Sequence, residues 1–141
     1  MQMLVNVDVP DVQQGADFYC AAFGLNIGRR FGAHALELTG GAVPIYLLAK
    51  AEGSAPLPDG SGSRSYRRHW SPVHLDLVVP DLEAAIARAV AAGAVQERPV
   101  KVAAWGKLAL FADPFGHGFC LIEFLGRGYD EIADAPAACC D

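Results

Sequence analysis

The chain lacks the apolar run that a membrane span requires. Its longest apolar stretch, Val43–Ala49, falls far short of the roughly 20 residues needed. Its first residues carry neither a basic segment nor an apolar core of the secretory kind, so a cytoplasmic protein is expected. Bases are scarce: 11 Lys and Arg stand against 16 Asp and Glu, a net charge of −5. That balance disfavours a phosphate-binding surface and argues against nucleic acid as a partner. Cysteine is limited to four residues with no C-x-x-C pair, which excludes a zinc knuckle and a thioredoxin-type motif. Cys20 and Cys120 lie in apolar stretches and read as small core hydrophobes, while Cys139 and Cys140 read as part of a frayed tail. Only 19% of residues are charged and 52% are hydrophobic, which excludes disorder for the bulk of the chain. At 141 residues, one domain with its own core is expected.

What the chain does have is a repeat. Leu4-Val5-Asn6-Val7-Asp8-Val9-Pro10-Asp11 resembles His74-Leu75-Asp76-Leu77-Val78-Val79-Pro80-Asp81 at an offset of 70. Each reads as a strand closed by proline, which cannot donate to a ladder. Asp11 and Asp81 then stand where a helix N-cap belongs. Val12, Ala16, Tyr19, Cys20 and Phe23 share one helical face, as do Leu82, Ala85, Ile86, Ala89 and Val90. Gly24 and Gly93 end the two helices. Three strand-like stretches follow each helix: about 25–30, 34–38 and 43–49, then 95–99, 107–112 and 119–124. The pattern is β-α-β-β-β, twice. Modules at about 2–50 and 72–125 make a single domain over 1–125. Residues 51–71, rich in Gly, Ser and Pro at their start, read as a flexible connection, and 126–141 as a C-terminal tail.

Strand parity assigns faces. Val5, Val7 and Val9, and likewise Leu75, Leu77 and Val79, form aliphatic sides that must meet the helices. Asn6, Asp8, His74 and Asp76 then point the other way. In the last strand, Phe119, Leu121 and Glu123 share a side. A charge beneath a helix is costly to bury, so this side is expected to be the open one. That choice places His74 and Glu123 in one cup with Phe119 and Leu121. Tyr46 and Leu48 face the cup in the first half, and Trp105 stands at a strand entrance where a ring could wall a pocket. Core or interface packing is the more ordinary role for such a ring. Asp76 could hold His74 or simply face solvent.

These residues resemble the vicinal oxygen chelate superfamily, which includes glyoxalases, bleomycin-resistance proteins and extradiol dioxygenases. The resemblance rests on Val9-Pro10-Asp11, Val79-Pro80-Asp81, Phe18-Tyr19 through Phe23-Gly24-Leu25, Ala112-Asp113-Pro114-Phe115-Gly116-His117 and Leu121-Ile122-Glu123-Phe124. It implies an α+β fold of two tandem βαβββ modules that form a cupped mixed sheet with helices on its outer face. Metal-using members take one ligand from the first and last strand of each half. Carried over, His74 and Glu123 match, and they are also the candidates for catalysis; Leu4 and Leu48 occupy the first-half positions and cannot coordinate. His34, Glu37, Tyr46, His69 and His117 are the residue types that could add a third donor. The resemblance therefore implies a small-molecule-binding protein with a degenerate metal site, lined by Leu4, Asn6, Tyr46, Leu48, Asp76, Trp105, Phe119 and Leu121. The alternative is a metal-dependent lyase, isomerase or dioxygenase using His74 and Glu123. The expected cofactor is none or a weakly bound divalent metal ion, and the expected partners are a small molecule and a second copy in a homodimer.

Overall fold

The computed structural model describes residues 1–134; Cys139 and Cys140 lie outside the described residues. The elements run β1 (Val5–Val9), α1 (Val12–Phe23), β2 (Asn26–Phe31), β3 (Ala35–Thr39), β4 (Ile45–Ala49), β5 (Leu75–Val78), α2 (Leu82–Ala92), β6 (Val95–Gln96), β7 (Lys101–Ala103), β8 (Gly106–Ala112) and β9 (Gly118–Phe124). A 3-10 turn over Gly128–Glu131 follows. The fold is α+β, with two sheets of mixed strands and two helices. One sheet has the order β1-β4-β3-β2; the other runs β5-β9-β8-β6, with β7 also on β8. In each, the strand before the helix pairs parallel with the last strand of its module. No helix among the described residues is long and apolar enough to cross a membrane.

The caps form as their residue types require. The Asp11 carboxylate accepts from the Gln13 and Gln14 amides, each at 2.9 Å, and Asp81 accepts from Ala84 at 3.0 Å. Gly24 and Gly93 end the helices at φ 68° and 110°, backbone that glycine adopts without a Cβ clash.

The aliphatic sides of β1 and β5 face the helices, as parity predicts. Val9 and Leu47 press on Gly15 of α1, where a Cβ would stand 2.9 Å from Leu47. One core spans both modules. Phe18 of α1 stacks edge-on against Phe115 and Phe119 of the second module, at 6.3 and 6.5 Å, and Phe23 meets Phe119 at 5.2 Å. Rings in this geometry add to the stabilisation that area burial already supplies.

The connection over 51–71 contains no helix or strand, yet it is fastened at several points. Arg64 pairs with Asp8 at 2.8 Å and exchanges backbone bonds with Gly53 and Ser54. Tyr66 donates its hydroxyl to the Lys50 carbonyl at 2.7 Å.

Candidate functional site

The free edges of β1 and β5 face each other across a seam, and two open lobes of about 280 and 470 Å³ lie along it. Val5, Phe23, Ile45, Leu75 and Leu77 wall both lobes. Of the residues expected in a pocket, Asn6, His74 and Phe119 line the first lobe, and Asp76 and Leu121 line the second. Leu4, Tyr46, Leu48, Trp105 and Glu123 line neither.

The face of the second sheet turned away from its helix brings three donors together. Register pairs Asp76 with Cys120, and His74 lies one alternation earlier on the same face. Ligand atoms of His74, Asp76 and Cys120 all fall within 4.8 Å of one another. The His74 Nε2 is 3.2 Å from Asp76 Oδ1. Cys120 is buried while the other two are exposed. Burial, then the neighbouring Asp76 charge, pushes the Cys120 thiol up to about 12, so it keeps its proton unless a cation binds.

Glu123 is not part of this group, which corrects the expectation that it shares a cup with His74. It lies with Phe119 and Leu121 on the helix side. Its Oε2 accepts from the Leu82 amide at 2.8 Å, and its Oε1 meets Lys107 Nζ at 3.1 Å. The Leu82 amide, then the Lys107 ammonium, holds its carboxyl below the usual range. A charge beneath a helix is costly only where it finds no partner. The strand instead delivers the carboxylate to the first turn of α2, where unpaired amides and the helix dipole favour an anion. By the same strand alternation Phe119 and Leu121 belong to the core side, and each also borders one lobe.

Tyr46 does face away from the helices, but it is tied into a cluster of its own. Its hydroxyl donates to Glu37 Oε1 at 2.8 Å and accepts from Arg29 Nη2 at 2.7 Å. The Arg29 side chain, the Arg29 amide and then the Tyr46 hydroxyl hold Glu37 down at about 2. Leu4 is about half exposed just before β1. Trp105 packs with Tyr129 and Phe124 at 5.1 and 6.3 Å, a cluster formed where the 3-10 turn folds back. His34 is exposed. His69 and His117, which nothing in the sequence joins, meet at 3.2 Å on the wall of the first lobe.

Residues 4–122 match the family described as a glyoxalase-like domain. The chain belongs to the glyoxalase-like domain family. Its kinship with the vicinal oxygen chelate superfamily, expected from the strand-helix motifs, holds. No curated protein sequence matches it. Among solved structures it is similar to TioX from Micromonospora sp. ML1, with 20% identity and TM-score 0.66 over 89% of this chain and 99% of that one. It is also similar to TnmS3, an antibiotic binding protein from Streptomyces sp. CB03234, with 25% identity and TM-score 0.62 over 89% and 96%. A third likeness is a glyoxalase/bleomycin resistance protein/dioxygenase family enzyme from Burkholderia phytofirmans PsJN, with 20% identity and TM-score 0.65 over 86% and 97%.

Within this glyoxalase-like domain the two halves can now be superposed by register. Val5 opposite Ile45 corresponds to Leu75 opposite Phe119. Leu4, Asn6 and Tyr46 therefore stand where the second half has His74, Asp76 and Cys120, and Leu48 corresponds to Ile122. The expected equivalence of Leu48 with Glu123 is corrected. The imidazole, carboxylate and thiol fit a divalent ion of borderline softness, because three protein donors leave further positions open. The first half offers one amide, one phenol and a leucine.

Proposed function

We propose that this glyoxalase-like protein binds a small, largely apolar molecule in the seam between its two modules. The cleft carries this reading: side chains from both halves wall it, and a few polar groups, Asn6 and His74 among them, stand at its margin. The likeness to an antibiotic binding protein supports the same class of ligand. Titration with the uncharged dye Nile red tests it. Saturable binding that is lost in Leu77→Trp, a substitution that fills both lobes, is expected. Absence of saturable binding by the folded protein refutes it. The homodimer expected from the family resemblance belongs to this proposal, and light scattering should return twice the chain mass.

A second reading, metal-dependent chemistry of the lyase, isomerase or dioxygenase kind, is favoured by one observation: the His74, Asp76 and Cys120 donors converge. A divalent ion held there would supply Lewis-acid polarisation of ligand oxygens. The chain's own contribution is to orient the His74 ring through Asp76 and to yield the Cys120 proton. Equilibration with zinc and elemental analysis separates the readings. Stoichiometric zinc that is lost in His74→Ala and Cys120→Ser but retained in Glu123→Gln supports this second reading; protein that stays metal-free removes it.

A further inference from the structure

All four ring nitrogens of His69 and His117 are engaged. His69 Nδ1 is 2.9 Å from the Arg67 carbonyl, and His117 Nε2 is 2.7 Å from the Asp8 carbonyl. Between them, His69 Nε2 and His117 Nδ1 stand 3.2 Å apart. Carbonyl oxygen only accepts, so the two outer nitrogens must both carry hydrogen. The inner pair makes a hydrogen bond only when one of its two nitrogens donates. That requires three protons on two imidazoles. We infer that His69 and His117 form a proton-sharing pair with a single positive charge, and that this pair clamps the connection and the second-module turn onto the free edge of β1.

The clamp joins three parts of the chain. His69 belongs to the connection, His117 to the turn before β9, and Asp8 to β1. The backbone adds to it: the His69 amide donates to the Gly116 carbonyl at 3.2 Å, and a Cβ at Gly116 would collide with the Arg67 carbonyl. Other charged and titratable groups face the pair without using its nitrogens. From β1 comes the Asp8 carboxylate, held by Arg64. From α1 comes the Tyr19 hydroxyl, which donates to Asp113; Asp113 in turn accepts the His117 amide. From the connection come Arg67, the Tyr66 ring lying edge-on to His117 at 6.3 Å, and Arg68, paired with Glu97. His74 stands on the wall of the same lobe.

Proton counting gives the clamp a window rather than a threshold. Removing the third proton takes away a donor, so one of the three contacts fails as pH rises. Adding a fourth sets two N–H groups against each other at the centre, so the contact also fails as pH falls. Each limb involves one proton, so the opening equilibrium changes by at most about tenfold per pH unit on either side. The clamp forms one wall of the proposed binding lobe, but it stands on geometry independent of any ligand.

Ring nitrogen shifts of the full chain, labelled with ¹⁵N and read across pH, test it. Three protonated nitrogens shared by the two rings are expected within the window, with each change of one proton felt by both rings together. Protection of the His69 amide, its exchange taken relative to the intrinsic rate at each pH, should be greatest there and fall on both sides. His117→Asn should abolish that two-sided profile. Rings that are each neutral throughout the folded range, or that titrate separately, overturn the inference. So does a His69 amide whose protection falls on only one side. If His117→Asn does not fold, the spectra of the unaltered chain decide alone.

Discussion

Tyr19→Phe removes one oxygen and little else. The Tyr19 hydroxyl donates to Asp113 Oδ2 at 2.6 Å, and Asp113 is only 5% exposed. The other carboxylate oxygen accepts the Phe115 and His117 amides at 2.8 and 2.9 Å. Burial, then Asp113 itself, drives the phenol well above its ordinary range, which favours the protonated, donating form. The ring keeps its edge contact with Phe18 at 5.0 Å whether or not the hydroxyl is present. The substitution therefore isolates a hydrogen bond to a buried acid, which contributes about 1.5–3 kcal/mol. At this chain length each kcal/mol moves the melting midpoint by about 3–4 °C, so calorimetry should show a fall of roughly 5–12 °C. Asp113→Asn and the double variant complete the cycle, in which the pair should couple by about 1 kcal/mol or more. A Tyr19→Phe loss below about 0.5 kcal/mol, or no coupling, would refute the claim that this bond ties α1 to the second module.

Glu123→Gln should lower the melting midpoint, because α2 loses a charged acceptor, while leaving zinc uptake at His74, Asp76 and Cys120 untouched; loss of the metal would restore Glu123 as a ligand. Asp11→Ala should cost about 1 kcal/mol in denaturant unfolding, the usual worth of an N-cap. Glu37 binds its proton less readily when folded than its ordinary 4.5, so the Arg29–Glu37–Tyr46 cluster stabilises the fold above that value. That contribution should fade as pH falls toward about 2, and Glu37→Gln should flatten the acid limb of stability against pH. An unchanged acid limb would show that the cluster adds nothing.

Much of the fold could be read directly from residue types. Asp11 and Asp81 at the helix starts, Gly24 and Gly93 at their ends, and the aliphatic alternation of Val5-Val7-Val9 and Leu75-Leu77 each have one physical interpretation. The last strand does not. In Phe119-Cys120-Leu121-Ile122 both alternating sets are apolar, so only the charge at Glu123 distinguishes the two faces, and it points to the wrong one. A carboxylate can sit on a helix-covered side when a helix begins there, and strand periodicity does not register that option. By its apolar neighbours Cys120 reads only as a core residue, although it is both buried and a donor. The parallel register of β5 with β9 would have revealed it. β7 has only three residues and no apolar alternation, so it left no mark. His69 and His117 meet across 48 positions through a connection without periodic structure, which no local pattern encodes.

The rings of Phe18 and Phe23 reach out of the first half and into the interior of the second. Neither half therefore owns a complete interior, even though each repeats the same chain path. Peptides cut between the repeats would each expose an aromatic surface that the other covers in the intact chain, so the molecule is a candidate for fragment complementation, in which two pieces regain one fold when mixed.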